Sequence, residues 1–250
     1  MIDRYDQDGV AIVRLAHGPV NALDLELLNA IIETFTELEA SGHRAIVFTG
    51  AGRAFSAGVD LWRIVDGGAD YISHYLPALS HAFEAIFRTG KPVVAAVNGH
   101  AIAGGCMLAT ACDYRIMAAG RIGVPELLVG IPFPLTGLEI LLDAVGPQRA
   151  RELVLTGATH EPPAALAHGL VDEVVDPDQL AERALATAIQ LASRTPPDTY
   201  RVTKRMLRQA VLDRLDRRRA EEDPQTLEIW QAKAADGTIR GYMERTVARR

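Results

Sequence analysis

The segment that most constrains the fold is residues 92–97, Pro-Val-Val-Ala-Ala-Val, which is apolar throughout. A strand that faces water on one side alternates apolar and polar residues, whereas a strand covered on both sides is apolar at nearly every position. The segment therefore predicts a strand that is buried on both faces.

The remaining pattern predicts an α/β core followed by helices. Strands are indicated by β-branched or apolar runs, and helices by apolar residues at helical spacing, the first helix being capped by Asp24. From about residue 177 onward helical patterns dominate, which favours a core of residues 1–190 and a helical region of residues 191–250. The predicted strands are 10–15, 44–49, 92–97, 114–117 and 171–175; the predicted helices are 25–39, 72–87, 106–111, 138–145, 148–155 and 163–168.

Composition restricts the class of protein. The chain has 250 residues, 48% of them hydrophobic, which is enough for a well-buried core. Its formal net charge of −6 argues against binding to nucleic acid or to an anionic membrane. No secretory signal and no membrane span is evident, so a cytoplasmic location is expected. Cys106 and Cys112 lie in apolar sequence and are expected to be reduced, buried thiols rather than zinc ligands.

Two glycine-bearing turns follow predicted strands, at residues 53–61 and 98–106. Small residues let a ligand approach the main chain, and a helix that starts just after Gly104 leaves its first N–H groups free. Two such groups aimed at one point would stabilise an oxyanion, although for either turn taken alone a tight structural turn is the favoured interpretation. The turns match neither the phosphate-binding glycine motifs nor the nucleophile elbow of hydrolases.

Glu126 is the candidate acid or base. It lies among apolar residues at 124–128, where partial desolvation would raise the pKa of its carboxyl group and suit it to proton transfer. The alternative is a helix cap or a salt bridge at a helix start. Two other carboxylates have simpler interpretations: Asp60 as a helix cap and Asp113 as a structural hydrogen-bonding residue.

Taken in order, these segments resemble the crotonase (enoyl-CoA hydratase/isomerase) superfamily. The resemblance implies a spiral of ββα units with a helical C-terminal trimerisation region, assembled as a homotrimer or a dimer of trimers. It also implies an acyl-CoA thioester substrate and no metal or other cofactor. The segments that carry it are 20–23, 55–61, 91–99, 103–106, 112–116, 125–132 and 167–172.

The resemblance also implies roles for individual residues. The thioester oxygen would be bound by the N–H groups of Ala57 and Gly104, and Glu126 would move the proton. Ala22, Arg53 and Asp60 lie on segments that line the CoA channel in the family, mainly through the backbone. Arg53 is equally consistent with a phosphate contact and with a solvated side chain.

One departure from the family pattern favours a particular reaction. Typical hydratases of the family carry a second glutamate at the position of Met107, and a thioether cannot transfer a proton. Moving a double bond requires only one base, so the pattern is closest to that of the Δ3,Δ2-enoyl-CoA isomerases of fatty acid metabolism. A hydratase, another acyl-CoA conversion and a non-catalytic CoA-ester binding protein stay open as alternatives.

Overall fold

The computed structural model describes residues 1–246 and contains two β-sheets covered by helices. The larger sheet has the strand order β1-β2-β3-β5-β7-β10, parallel except for the pairing of β1 with β2. The smaller sheet has the order β4-β6-β8-β9. The strands are β1 (Ile2–Gln7), β2 (Val10–Leu15), β3 (Ala45–Gly50), β4 (Ala54–Ser56), β5 (Val93–Val97), β6 (His100–Ile102), β7 (Tyr114–Met117), β8 (Ile122–Gly123), β9 (Thr159–His160) and β10 (Glu173–Val174).

Helices surround the larger sheet and form the C-terminal part of the described chain. This arrangement confirms the predicted α/β class and the helical C-terminal region. The helices are α1 (Leu25–Ala40), α2 (Leu61–Arg88), α3 (Gly104–Thr110), α4 (Glu126–Val129), α5 (Leu135–Thr156), α6 (Pro162–Ala167), α7 (Leu180–Arg194), α8 (Pro197–Ala235) and α9 (Thr238–Thr246).

Strand β5 is buried on both faces, as its sequence predicts. It lies between β3 and β7 and is parallel to both. Val93, Ala95 and Val97 face the main core, whereas Val94 and Ala96 face a second apolar cluster that α7 covers. Because successive side chains of a strand point to opposite faces, a strand packed on both sides must be apolar at every position.

Two differences from the sequence prediction concern the start of α2 and the strand β1. Helix α2 starts at Leu61 rather than near residue 72, because Asp60 caps it by accepting hydrogen bonds from the N–H groups of Trp62 and Arg63. At Gly68 the backbone has a φ of 61°, which interrupts the helix. The first two turns therefore do not continue the apolar periodicity by which the rest of the helix was predicted. Strand β1 was not predicted because it is an exposed edge strand rich in charged residues.

The C-terminal helices pack back onto the core of the same chain. Trp230 of α8 is buried and donates a hydrogen bond from Nε1 to the carbonyl oxygen of Pro132, 3.0 Å away. Ile239 and Met243 of α9 are also buried, and α9 lies against α4. The division of the chain at residue 190 stays a prediction, and α7 runs across that position. Within residues 1–246, no helix is both long and apolar enough to cross a membrane.

A buried charge cluster around Asp113 fastens α8 to the core. Its carboxylate accepts hydrogen bonds from Lys204 at 2.5 Å, from Arg208 at 2.7 Å and from the backbone N–H of Val93 at 2.8 Å. Lys204 also donates to the carbonyl oxygen of Lys91 at 2.8 Å. The structural role predicted for Asp113 is therefore confirmed.

We expect Asp113→Asn to destabilise the fold strongly. The substitution leaves the buried Lys204 and the half-buried Arg208 without this counter-charge, and breaking a buried ion pair typically costs about 3–5 kcal/mol. Denaturant unfolding of the variant and of the wild type measures this loss. Asp3→Asn is the matched control, because Asp3 forms an exposed ion pair with Arg14 and should cost less than about 1 kcal/mol. A similar, small loss in both variants would contradict the assignment.

Candidate active site

Two backbone segments meet closely at the centre of the site. They are residues 56–59, after β4, and residues 102–105, between β6 and α3. A Cβ atom built on Gly58 would collide with the carbonyl oxygen of Ile102 and would lie 3.2 Å from the amide nitrogen of Gly104. A Cβ atom on Gly105 would collide with the carbonyl oxygen of Ser56. Only glycine permits this approach, so both glycine turns serve a common structural purpose.

Asn21 fixes the first of these segments and was not predicted as a site residue. It is 1% exposed, has a φ of 51°, and its Nδ2 donates to the carbonyl oxygens of Ala54 at 3.0 Å and Phe55 at 3.2 Å. Its own carbonyl oxygen accepts a hydrogen bond from Ser56 Oγ at 2.7 Å, and that hydroxyl accepts from the N–H of Gly58 at 3.2 Å. The signal in the sequence was the segment 20–23, which the resemblance included without giving Asn21 a role.

The hydrogen bonds of this segment correct one predicted role. The N–H of Ala57 donates to the carbonyl oxygen of Val20 at 3.0 Å, so it is not free to bind a ligand. Leu23 lies opposite Val59 but forms its hydrogen bonds with the two neighbours of Val59: the N–H of Leu23 donates to Gly58, and the N–H of Asp60 donates to Leu23. The N–H of Val59 itself has no acceptor among residues 1–246. The structure therefore favours Val59 over Ala57 as the donor from this turn.

Gly104 supplies the second free N–H group. It is the first residue of α3, and the first intrahelical bond is donated by Met107 to the carbonyl oxygen of Ala103. The preceding Ala103 has a φ of 52°, a value uncommon for a residue with a side chain, and its N–H donates to the carbonyl oxygen of Gly123 at 2.8 Å. This backbone conformation leaves the amide of Gly104 beside Gly58, and the next amide after Gly58 is that of Val59.

Glu126 begins α4 and is buried. Its side chain forms no ion pair within the described chain, and Oε2 has no hydrogen-bond partner there. Burial raises the pKa of this carboxyl group to about 8, and a hydrogen bond to its own backbone N–H is the smaller, opposing effect. The salt-bridge alternative is thus excluded, and the carboxyl group can hold or release a proton near neutral pH.

Buried apolar side chains of α3 pack against the start of α5 near Glu126. Met107 of α3 is 1% exposed, and a Cβ atom built on Gly137 of α5 would lie 3.3 Å from its sulfur atom and 3.0 Å from the ring of Phe133. Cys106, next to Met107, is fully buried; burial raises the pKa of its thiol, and the nearby Glu126 raises it further. Residue 107 is therefore a buried thioether on α3, the helix whose Cys106 lies near Glu126.

The three predicted CoA-channel residues differ in exposure and in their contacts. Ala22 is half-buried next to Leu23, whose N–H donates to the carbonyl oxygen of Gly58. Asp60 caps α2, which confirms its alternative interpretation. Arg53 is exposed, and its side chain forms no ion pair with another described residue. Contact of these residues with CoA stays a prediction.

Comparison with known proteins places this geometry in a family. The family model described as enoyl-CoA hydratase/isomerase matches residues 5–249. The chain belongs to the enoyl-CoA hydratase/isomerase family. Among residues 1–246, no group of three or more histidine, cysteine or acidic residues is arranged to hold a metal ion.

Similar members of the family carry two different names. A putative enoyl-CoA hydratase of Thermus thermophilus is 39% identical over 192 residues, which is 75% of each chain. The mitochondrial enoyl-CoA delta isomerase 1 of Mus musculus is 31% identical over 251 residues, covering 98% of this chain and 86% of the other. The crystal structure of human mitochondrial delta3-delta2-enoyl-CoA isomerase superposes with a TM-score of 0.91 at 28% identity, covering 98% and 97% of the two chains.

We expect Glu126→Gln to be more stable than the wild type, by a difference in unfolding free energy that grows as pH rises. In the folded protein burial raises the pKa of Glu126 to about 8, whereas the pKa of a solvated glutamate is about 4.5. Between these values the unfolded chain binds fewer protons than the folded chain, so the carboxyl group lowers folding stability as pH increases. The difference in unfolding free energy between variant and wild type should grow to a few kcal/mol, because each unit of pKa shift corresponds to about 1.4 kcal/mol.

Denaturant unfolding at pH 5, 6.5 and 8 measures this difference. Glu182→Gln, which removes an exposed carboxylate on α7, controls for the loss of a surface charge. A Glu126→Gln difference that stays constant over this range would show that the carboxyl group is already ionised in the folded protein.

Proposed function

We propose that the protein shifts the double bond of a 3-enoyl-CoA to give the 2-enoyl-CoA. The observation that carries the proposal is the combination of one buried, unpaired carboxyl group at Glu126 with a thioether at Met107. One proton-transferring group suffices for isomerisation, since the proton that leaves one carbon returns to another. Hydration requires water to be activated and a proton to be delivered as well.

The proposed chemistry uses the two free N–H groups and the carboxylate. Ionised Glu126 takes a proton from the α-carbon, and the electron pair moves onto the thioester oxygen to form a dienolate. The N–H groups of Val59 and Gly104 stabilise that oxygen, and one such donor is typically worth about 2.7–4 kcal/mol. Glu126 then returns the proton to the γ-carbon, which leaves the double bond between the α- and β-carbons.

The substrate itself would supply the CoA group, and no further cofactor is part of the proposal. The backbone at Ala22 and Asp60 would line the CoA channel, and the unpaired side chain of Arg53 is available for a phosphate.

A homotrimer is supported by exposed apolar residues on α8: Val202, Met206 and Leu207 are 45%, 69% and 74% exposed. A cytoplasmic location belongs to the same proposal.

A hydratase is the second candidate. It is supported by the name of the Thermus thermophilus relative, which is more similar in sequence than the mouse isomerase over the part that it covers. The two candidates are distinguished by supplying the purified protein with a 3-enoyl-CoA and, separately, with a 2-enoyl-CoA. Formation of the 2-enoyl ester without net hydration supports the isomerase, and gain of one water by the 2-enoyl ester supports the hydratase.

We expect Glu126→Gln to remove turnover but not binding. Loss of a positioned general acid or base usually lowers the rate by about 10²–10⁴-fold. Turnover of the 3-enoyl-CoA is followed by chromatography, and binding of a saturated acyl-CoA by calorimetry. The control is Glu161→Gln, a change of an exposed carboxylate outside the site. Glu126→Gln that retains full activity would rule out Glu126 as the base.

Met107→Glu tests which reaction the wild type performs. If the wild type is an isomerase, a carboxylate at this position should add measurable hydration of the 2-enoyl-CoA, since it supplies the missing second group. Met107→Gln has a similar shape but cannot transfer a proton, and it should add none. Equal hydration by the wild type and by Met107→Glu would instead indicate that the natural protein is already a hydratase.

A further inference from the structure

The turn after β4 runs beside the segment that precedes α1, and hydrogen bonds join the two backbones. The N–H of Ala57 donates to the carbonyl oxygen of Val20 at 3.0 Å. The N–H of Leu23 donates to the carbonyl oxygen of Gly58 at 2.8 Å, and the N–H of Asp60 donates to that of Leu23 at 3.0 Å. Between the bonds of Ala57 and Leu23, a side chain takes the place of backbone pairing.

That side chain belongs to Ser56, which is fully buried. Its hydroxyl group donates to the carbonyl oxygen of Asn21 at 2.7 Å and accepts from the N–H of Gly58 at 3.2 Å. A hydroxyl group can do both at once, because it has one donor and two acceptor lone pairs. One oxygen atom therefore connects a carbonyl group of one backbone with an N–H group of the other.

The residue that depends on this connection is Gly58. Its φ is 79°, and a Cβ atom there would collide with the carbonyl oxygen of Ile102, so the position requires glycine. Glycine itself has little preference among backbone conformations, so hydrogen bonds must fix this one. Ser56 binds the N–H of Gly58, and Leu23 binds its carbonyl oxygen.

The conformation of Gly58 sets the direction of the free N–H group of Val59. A trans peptide unit is planar, so its C=O and N–H groups point in opposite directions. The carbonyl oxygen of Gly58 points to Leu23, and the N–H of Val59 therefore points away from the segment before α1. The amide nitrogen of Gly104 would lie 3.2 Å from a Cβ atom on Gly58. A backbone rotation at Gly58 would thus move one free donor relative to the other.

We propose that Ser56 is a positioning residue for the oxyanion site. Its hydroxyl group holds Gly58 in the conformation that aims the N–H of Val59 at the thioester oxygen. The proposal rests on one part of the proposed function, the binding of a thioester oxygen between Val59 and Gly104. Ser56 acts through the backbone and takes no part in proton transfer.

Turnover of the 3-enoyl-CoA separates positioning from binding. Ser56→Ala leaves Gly58 with one restraint, and kcat should fall by about 10–10²-fold, the scale expected when a catalytic group is misplaced by up to about 1 Å. KM should change little, because the donors act mainly on charge that develops in the transition state. Ser56→Cys keeps the shape with a weaker donor and acceptor and should show a smaller loss. A raised KM with an unchanged kcat would overturn the proposal.

Thr89 offers a matched control at the end of α2 opposite to Asp60. It is 1% exposed, and its Oγ1 donates to the carbonyl oxygen of Ala85 at 2.8 Å. Thr89→Val therefore also removes a buried hydroxyl group that binds a backbone carbonyl. Denaturant unfolding should show a loss of stability in this variant as in Ser56→Ala, whereas kcat should stay at the wild-type value. An equal loss of kcat in both variants would show that turnover follows stability, and the proposal would be overturned.

The carbonyl stretch of a bound thioester tests the donor without any turnover. The probe is a saturated acyl-CoA whose carbonyl carbon is isotopically labelled, and the infrared difference from the unlabelled ester isolates its band. Preorganised donors polarise the carbonyl group and should lower its frequency in the wild type at saturating ligand. The lowering should be smaller in Ser56→Ala and unchanged in Thr89→Val. This result supports the proposal even if no enoyl ester is converted.

The contrary outcomes separate this proposal from the proposed function. A full lowering of the frequency in both Ser56→Ala and Ser56→Cys overturns the role of Ser56 and leaves the isomerase proposal standing. No lowering in the wild type shows that free N–H groups do not bind the thioester oxygen, and both proposals then fail.

Discussion

The site depends on contact between two backbone segments that only glycine permits. Gly58 touches the chain at Ile102 and Gly104, and Gly105 touches Ser56, so the turn after β4 and the start of α3 are held together without intervening side chains. Hydrogen bonds from Asn21 and Ser56 fix the first turn, and the unusual conformation of Ala103 directs the second. The two free N–H groups owe their proximity to these contacts.

The buried carboxyl group of Glu126, unlike these backbone contacts, destabilises the fold. Glu126 has neither a counter-charge nor a partner for Oε2 in the described chain, so its burial opposes folding whenever it is ionised. Stability must come from elsewhere, and the parallel sheet and the helices on both of its faces provide the apolar core. A group kept in an unfavourable environment by the rest of the fold is typical of a functional site.

The C-terminal helices contribute to the site by indirect contacts. Trp230 donates a hydrogen bond to the carbonyl oxygen of Pro132, just before α5, and Thr238 at the start of α9 packs against Gly130 just after α4. The ion cluster at Asp113 holds α8 in position for the first of these contacts. The segment from Glu126 to the start of α5 is therefore bounded by helices that lie about 100 residues later in the chain.

The sequence by itself determined the elements whose pattern is local. The apolar run of β5, the capped helix α1 and the two glycine turns were all recognisable, and the apolar surroundings of Glu126 indicated a raised pKa. Each of these follows from neighbours within a few residues. The exposed strand β1 and the two- or three-residue strands of the smaller sheet lacked such a pattern, because pairing rather than composition defines them.

Only the tertiary structure decided which polar groups are left free. Ala57 was predicted as a donor, but the carbonyl of Val20 takes its N–H, and Val59 is free instead. Likewise, the carbonyl oxygen of Pro132 accepts a hydrogen bond from Trp230, which lies almost 100 residues later in the sequence. Whether a donor is free depends on every acceptor that folding brings near it, and those acceptors come from distant parts of the chain. Local sequence cannot specify that set.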